Sequence, residues 1–459
     1  MGILVQGAEK ARFDRFVPVR VIERCWPGLR RPWLFAGLDA RGHAQRQAFG
    51  QRSLVRGGDL FQGRVEALAK IRQWLAAPQG LGRPLVITAL PGAGKSAVLG
   101  RAALAAEHGR PGAGLVFHAS GATHGEFLDA VAASIGVATP GSQDDLLGVL
   151  AAKHTDDLFA VMLDALDEAA TAQDRRALAQ TLSELARIPW LRVVVATRPL
   201  TSGDRYSPGS LLPMLGVTKP GSDNLVDLDV DPFNDPDALR AFAAALLAQD
   251  GATRPGPAGC AWQSYRADLA LRARAAAVIA QRADTNFLVA AMTSVPLSEN
   301  DDVVDPAAPG FDPETLPASI GEALDKYPDS MPDPRAKANV RGLLTALAFA
   351  RGTGISDGHW LRFAHALGYT DAGQVDLDIL RGATSADYLL QSADQQSGQV
   401  ARLSSTRLWS TNSSADILDT TTRPSIARCW PLWSPTAAGR ATRSMAGRMP
   451  PNTPTRPAS

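Results

Sequence analysis

The apolar positions of this chain fall into two regimes, buried-strand runs alternating with helical spacing as far as about residue 230 and helical spacing alone beyond it. The stretch FQGRVEALAKIRQWLA sets Val65, Leu68, Ile71, Trp74 and Leu75 on one stripe, which predicts an amphipathic helix leading into the core. Continuous apolar runs follow at 84–90 (PLVITAL), 114–120 (GLVFHAS), 158–163 (LFAVML), 191–197 (LRVVVAT) and 225–230 (LVDLDV). Such runs suit strands covered on both faces. Helical segments lie between them: Thr123 with Glu126 makes a capping box before FLDAVAASIG, Ser142 with Asp145 opens LLGVLAA, and DRRALAQTLSELAR separates the third and fourth runs. Strands alternating with helices predict right-handed crossovers and a parallel five-stranded α/β sheet sandwiched by helices.

After Asp231 the strand signal fades. NDPDALRAFAAALLAQ reads as a helix capped by Asp235 with Pro236 in its first turn, and DLALRARAAAVIAQRA and TNFLVAAMTSV continue helically. VRGLLTALAFARG and DGHWLRFAHALGY are two short helices about a Gly/Ser turn, a helix-turn-helix pattern. The expected organisation is a poorly structured extension (1–56), an α/β core (57–230), a helical lid (231–300), a Pro/Asp-rich linker (301–316), a winged-helix-like helical unit (317–400) and a tail (401–459). That tail holds eight Arg and two Asp with no Glu or Lys, amid Ser, Thr and Pro. It reads either as a disordered basic tail or as residues read in a shifted frame.

Composition narrows the function classes. A chain of 459 residues, 45% hydrophobic, suffices for about three domains. Forty-seven basic against 46 acidic residues leave no global charge of the kind that marks nucleic-acid or membrane binders. Cys25, Cys260 and Cys429 are too few and too scattered for a disulfide framework. His359 and His365 are six apart, so no histidine pair has metal-ligand spacing and no histidine-held metal is expected. No apolar run approaches membrane-spanning length, and the start lacks a signal core. These features together predict a cytoplasmic protein.

The chemistry is concentrated at strand ends. ALPGAGKS (89–96) matches a phosphate-binding loop, with Ala89 replacing the usual first glycine. Pro91, Gly92, Ala93 and Gly94 would turn successive backbone N–H groups around a polyphosphate, with glycine needed where backbone and ligand approach closely. Lys95 would reach the β- and γ-phosphates, Ser96 would bind Mg²⁺, and Ala97 lies in the first turn of the helix whose N-terminus faces the ligand. The strand LFAVML delivers Asp164, placed to hold the cation, with Asp167 and Glu168 just beyond; Glu168 is preferred as the group that orients and deprotonates water. VVVATRP delivers Thr197 and Arg198 to the same sheet edge, and Arg198 faces the γ-phosphate if its strand lies between the other two.

With FQGR at 61–64, the loop ending GKS, LDALDE at 163–168 and ATRP at 196–199 in this order, the chain resembles the signal-transduction ATPases with numerous domains (STAND), nearest their NACHT-like bacterial branch, over about 58–400. The resemblance implies that Phe61, Gly63 and Arg64 lie against the adenine of ATP and that Lys95 and Ser96 hold phosphates and Mg²⁺. It further implies Asp164 as the magnesium carboxylate, Glu168 as hydrolytic base and Arg198 as a sensor. The helices after 231 look like the family's lid, and 317–395 like the winged-helix unit that locks its inactive state. The expected activity is slow ATP hydrolysis governing self-association and an effector protein of unknown identity. A winged-helix DNA-binding regulator, a metabolic P-loop kinase and an inactive fragment are the alternatives. Nucleic acid is not an expected partner, because the two short helices offer few Arg or Lys.

Overall fold

The computed structural model describes residues 33–37, 40–50 and 59–403, apart from 79–80, 108–112, 138–140, 154, 200–204, 208, 250–259, 327–332, 349–354, 383–389 and 394–399. The readings of residues 1–32 and of the tail from 404 fall outside this range. The strands are β1 (Leu34–Ala36), β2 (Leu85–Thr88), β3 (Gly114–His118), β4 (Phe159–Asp164), β5 (Leu191–Thr197) and β6 (Leu225–Asp227). All pair in parallel, in the order β1-β3-β4-β5-β2-β6.

The helices around this sheet are α1 (Ala40–Ala48), α2 (Val65–Ala76), α3 (Lys95–Glu107), α4 (His124–Ile135), α5 (Gln143–Ala151), α6 (Ala172–Leu185) and α7 (Leu211–Met214). Continuous apolar runs became two-faced strands because successive side chains point to opposite sides. Phe159, Val161 and Leu163 join the core shared with α4, α5 and α6, whereas Ala160 and Met162 join the one shared with α2 and α3. The Thr123–Glu126 capping box is present, and the Ser142 hydroxyl accepts from Asp145 N.

Three expectations need correction. The sheet has six strands, because Leu34–Ala36, inside the expected poorly structured extension, pairs with the free edge of β3. That segment is fixed by close backbone approach. Gly100 of α3 lets α1 approach so closely that a Cβ there would meet Ala44 O at 2.6 Å, and Gly114 makes room for the buried Trp33 ring. On α2, Val65 is 66% exposed and Ala67 takes its place in the buried stripe with Ile71, Trp74 and Leu75. β6 stops at Asp227, where Asp229 N bonds back to the Asp227 carboxylate and turns the chain.

Beyond the sheet come α8 (Pro236–Leu247), α9 (Ala261–Ala267), α10 (Leu269–Ala283), α11 (Phe287–Glu299), α12 (Ile320–Lys326), α13 (Pro334–Ala348), α14 (Asp357–Ala366) and α15 (Gln374–Gly382). Asp235 caps α8 through Ala238 N, with Pro236 in the first turn as expected. Three further strands, β7 (Ile355–Ser356), β8 (Leu390–Ala393) and β9 (Val400–Leu403), form an antiparallel sheet in the order β7-β9-β8 beside α13, α14 and α15. One apolar cluster runs from Leu239 of α8 through Val289 of α11 to Trp360 of α14. The Pro/Asp-rich stretch is laced to these helices by Arg274–Asp305 and by Tyr265 Oη donating to Val304 O. Among the described residues no helix is long and apolar enough to cross a membrane.

Candidate functional site

The turn from β2 into α3 carries the cradle. Gly92 (φ 82°) and Gly94 (φ 92°) occupy the left-handed region, which a side chain would strain. At Gly92 a Cβ would also lie 2.2 Å from Asn286 Oδ1. The Asp229 carboxylate accepts from Leu90 N (2.7 Å) and fixes the start of the turn. Lys95 Nζ donates to Ala89 O (2.9 Å) and Leu90 O (3.0 Å), so the ammonium is held over the loop that it starts from. Desolvation, with Arg198 adding to it, pulls Lys95 down to about 8 against the opposing pull of Asp167, Asp229 and Asp164.

Strand β5 lies between β4 and β2, so the ends of three adjacent strands converge. Asp164, at the end of β4, is buried; its Oδ1 accepts from Ser96 Oγ (3.1 Å) and from Ala165 N. Desolvation pushes this carboxyl up, but the hydrogen bond and charge of His43, with His118 and Ser96, outweigh it and hold the group below the usual range. Arg198, leaving β5, joins the two other acids: its backbone N donates to Asp167 Oδ1 (3.0 Å), its Nε lies 3.3 Å from Asp167 Oδ2, and an Nη lies 2.7 Å from Glu168 Oε1. Desolvation in the cleft raises the Glu168 carboxyl, opposed by Arg198 and reinforced by Asp167 and Asp164.

The opposite wall is built around Arg64. Its backbone sits at φ 55° and its N–H donates to the Asp235 carboxylate (2.8 Å), while its guanidinium donates to Leu228 O, Phe233 O and Ala93 O. The buried guanidinium lies 5.1 Å from the Phe287 ring centre. Gly63 permits this fit, since a Cβ there would meet the Asp235 carboxylate and Ala238. The N-terminus of α11 docks on the loop through Asn286 Nδ2 to Pro91 O (3.0 Å) and Leu288 N to Gly92 O (3.2 Å). Between the walls lies a cavity of about 180 Å³, lined by Phe61, Phe242 and Phe287 together with Lys95, Glu168 and Arg198.

Of the residues expected from sequence, Phe61, Arg64, Pro91, Gly92, Ala93, Gly94, Lys95, Ser96, Ala97, Asp167, Glu168 and Arg198 all line this cavity. Gly63 and Asp164 stand behind it, the first as a packing position and the second joined to Ser96. Sequence reasoning missed His43, His118, Asp229 and Asn286. His118 ends β3 directly opposite Asp164 in the parallel register, and His43 reaches the same carboxylate from α1 at 3.1 Å. Their separation by 75 positions hides them from any test of local spacing. Asn286 had a local signal, a helix-capping Asn before an apolar run, and the structure adds a second partner, the loop carbonyl.

The donor set fits a nucleoside polyphosphate with a divalent cation. The loop offers backbone amides and an ammonium, a hydroxyl and a carboxylate meet at one point, and three aromatic side chains line the same cavity.

No family model and no curated protein matches the chain. Among solved structures, it is similar to Cdc6p from Pyrobaculum aerophilum, with 13% identity over 77% of this chain and 92% of that one and a TM-score of 0.35. It is also similar to a Walker-type ATPase of Pyrococcus abyssi, with 14% identity, 75% and 93% coverage and a TM-score of 0.34. A third is the Aeropyrum pernix ORC1 protein in complex with DNA, with 17% identity, 78% and 93% coverage and a TM-score of 0.27. Likeness at this level gives no residue its role; the strand order and the loop are what define the P-loop α/β fold of this chain.

Proposed function

We propose that the cleft binds ATP with a divalent cation, hydrolyses it slowly, and uses the bound nucleotide to control self-association, as in the STAND-class, NACHT-like signalling ATPases. The observation that supports this most is the 3.1 Å contact of Ser96 Oγ with Asp164 Oδ1, because it joins the phosphate-loop helix to a strand two places away at one cation-sized locus. Gly92, Ala93 and Gly94 would direct amides at the β- and γ-phosphates and Lys95 would supply an ammonium. Ser96 and Asp164 would hold Mg²⁺, which supplies charge neutralisation on the phosphate oxygens. The aromatic slot of Phe61, Phe242 and Phe287 would take the base.

Glu168 is the group that activates water. Its raised carboxyl is a stronger base than an ordinary glutamate, which suits proton abstraction. Arg198 moderates that base, since it pairs with Glu168 and Asp167 at the same sheet edge. Turning the guanidinium toward a γ-phosphate would release Glu168, so phosphate recognition and base activation share one side chain. On the far wall, α11 would report loop geometry to the C-terminal helices through Asn286 and Leu288.

The test pairs two variants. Lys95→Ala should abolish ATP binding, whereas Glu168→Gln should bind ATP and retain it unhydrolysed; particle mass with and without nucleotide then reads self-association. ATP binding like the parent's in both variants would overturn the site. A second reading, an ATP-dependent DNA-binding regulator, is favoured by three helices beside a three-stranded antiparallel sheet. Against it, α14 and α15 carry only Arg362 and Arg381 as permanent cations, and α13 adds Arg335, Lys337 and Arg341. Duplex binding that falls steeply with salt would decide for it.

A further inference from the structure

We infer that His43, His118 and Asp164 form a two-histidine, one-carboxylate site for a first-row transition-metal dication. The three donors come from separate elements: α1, the end of β3 and the end of β4. His43 Nε2 lies 3.1 Å and His118 Nδ1 3.8 Å from the same oxygen, Asp164 Oδ2, and all three donor atoms lie within 4.8 Å of one another. Ligands about 2.1 Å from one ion stand roughly 3 to 3.5 Å apart; the His43 contact lies in that range and the His118 contact a few tenths of an ångström beyond it. The two imidazoles are stacked with centroids 4.0 Å apart, and the three side chains retain 13%, 8% and 7% exposure.

Position and chemistry agree. His43 lines the cleft, which gives an ion a path, and Ser96 Oγ on the other Asp164 oxygen offers a fourth donor from the phosphate loop. Magnesium takes oxygen ligands and releases its waters reluctantly, whereas imidazole nitrogen favours iron, cobalt, nickel, copper or zinc. A lone hydrogen bond from His43 would suffice to tie α1 to the sheet. A second imidazole converging on the same oxygen is the feature that a tether does not need. The site stands on its donors alone, yet it shares Asp164 with the proposed nucleotide cation, so it would make the cleft respond to transition metals as well as to magnesium.

The test is a Co²⁺ titration of the nucleotide-free full chain, read by visible absorption, with Mg²⁺ as competitor. Stoichiometric uptake that a large excess of Mg²⁺ fails to reverse, and that weakens about tenfold or more in His43→Gln and in His118→Asn, is the expected result. Thermal melts of both variants confirm that they are folded, and nitrogen couplings in the electron spin echo of bound Cu²⁺ give a second readout that does not depend on them. Uptake equal in parent and both variants, displacement by equimolar Mg²⁺, or absence of nitrogen coupling would each refute the site. Lys95→Ala separates this inference from the nucleotide reading: lost ATP binding with Co²⁺ uptake retained sustains the metal site, whereas a parent that binds ATP but takes up no Co²⁺ sinks it alone.

Discussion

The two walls of the cleft are built on different plans. The phosphate wall draws its chemistry from three strand ends, each a short contiguous motif: ALPGAGKS, LDALDE and ATRP. The facing wall takes only FQGR (61–64) from a contiguous motif. It is assembled from side chains and backbone brought together over long separations: Arg64 with Phe233, Asp235 with Arg64, Asn286 with Pro91. The first wall is charged and the second is aromatic and hydrogen-bonded through carbonyls. A parallel sheet supplies fixed points at its carboxyl edge and so makes site geometry local, whereas the facing helices must be tied down contact by contact. The residues that touch both walls, Gly92, Arg64 and Asn286, are therefore where the difference can be tested.

Gly92→Val should have the largest effect, because it breaks both plans at once. The residue would have to hold φ near 82° with a branched side chain, and its Cβ would collide with Asn286. Nucleotide affinity should fall at least about a hundredfold, or about 3 kcal/mol, by calorimetric titration. Near-parental affinity would mean that the two walls do not meet at this glycine. Arg64→Ala comes next, removing one tie to the loop at Ala93 O and two within the far wall. Removing a buried guanidinium that serves three carbonyls and stacks on Phe287 should lower stability by about 3 kcal/mol in urea denaturation. Arg64→Lys should rescue little of it, since one ammonium cannot span the same fork.

Legibility followed the same division. The sheet, the loop and Asp164, Asp167, Glu168 and Arg198 were readable because strand runs and their terminal residues are adjacent in sequence. The placement of β5 between β2 and β4, on which the role of Arg198 was conditional, is what the structure has. The sixth strand was not readable: LFA at 34–36 is too short to show a period, and its pairing depends on glycine contacts far away, at Gly100 and Gly114. His43 and His118 were missed for the same reason. One is set by a helix packing on α3 and the other by strand register, and neither leaves a local trace.

Within the phosphate wall, the depressed Lys95 gives a pH test. A lysine that titrates at about 8 when folded and 10.5 when unfolded binds fewer protons folded across that window, so nucleotide-free protein should gain stability as pH rises through it. Relative to Lys95→Met, which lacks the titration, the gain should reach up to about 3 kcal/mol by pH 10.5. A flat difference between parent and variant would mean that the ammonium is well solvated.

The smallest expected effect isolates one side-chain link between the walls. Asn286 uses its two ends differently: Oδ1 caps α11 through Leu288 N and Val289 N at 3.1 Å, and Nδ2 donates to Pro91 O across the cleft. Asn286→Asp keeps the cap and adds favourable charge at the helix N-terminus, but turns the loop contact into an oxygen facing a carbonyl. Asn286→Ala removes both. If the cap dominates, Asp should match or exceed the parent in stability and Ala should lose about 1 kcal/mol. If the loop contact matters to the nucleotide, both variants should bind ATP several-fold more weakly, Asp the weaker because its carboxylate also sits beside the phosphates. Equal ATP affinity in all three proteins would show that the Leu288 N to Gly92 O bond and the Arg64 guanidinium on Ala93 O suffice to join the walls, the first a backbone link that no side-chain change removes.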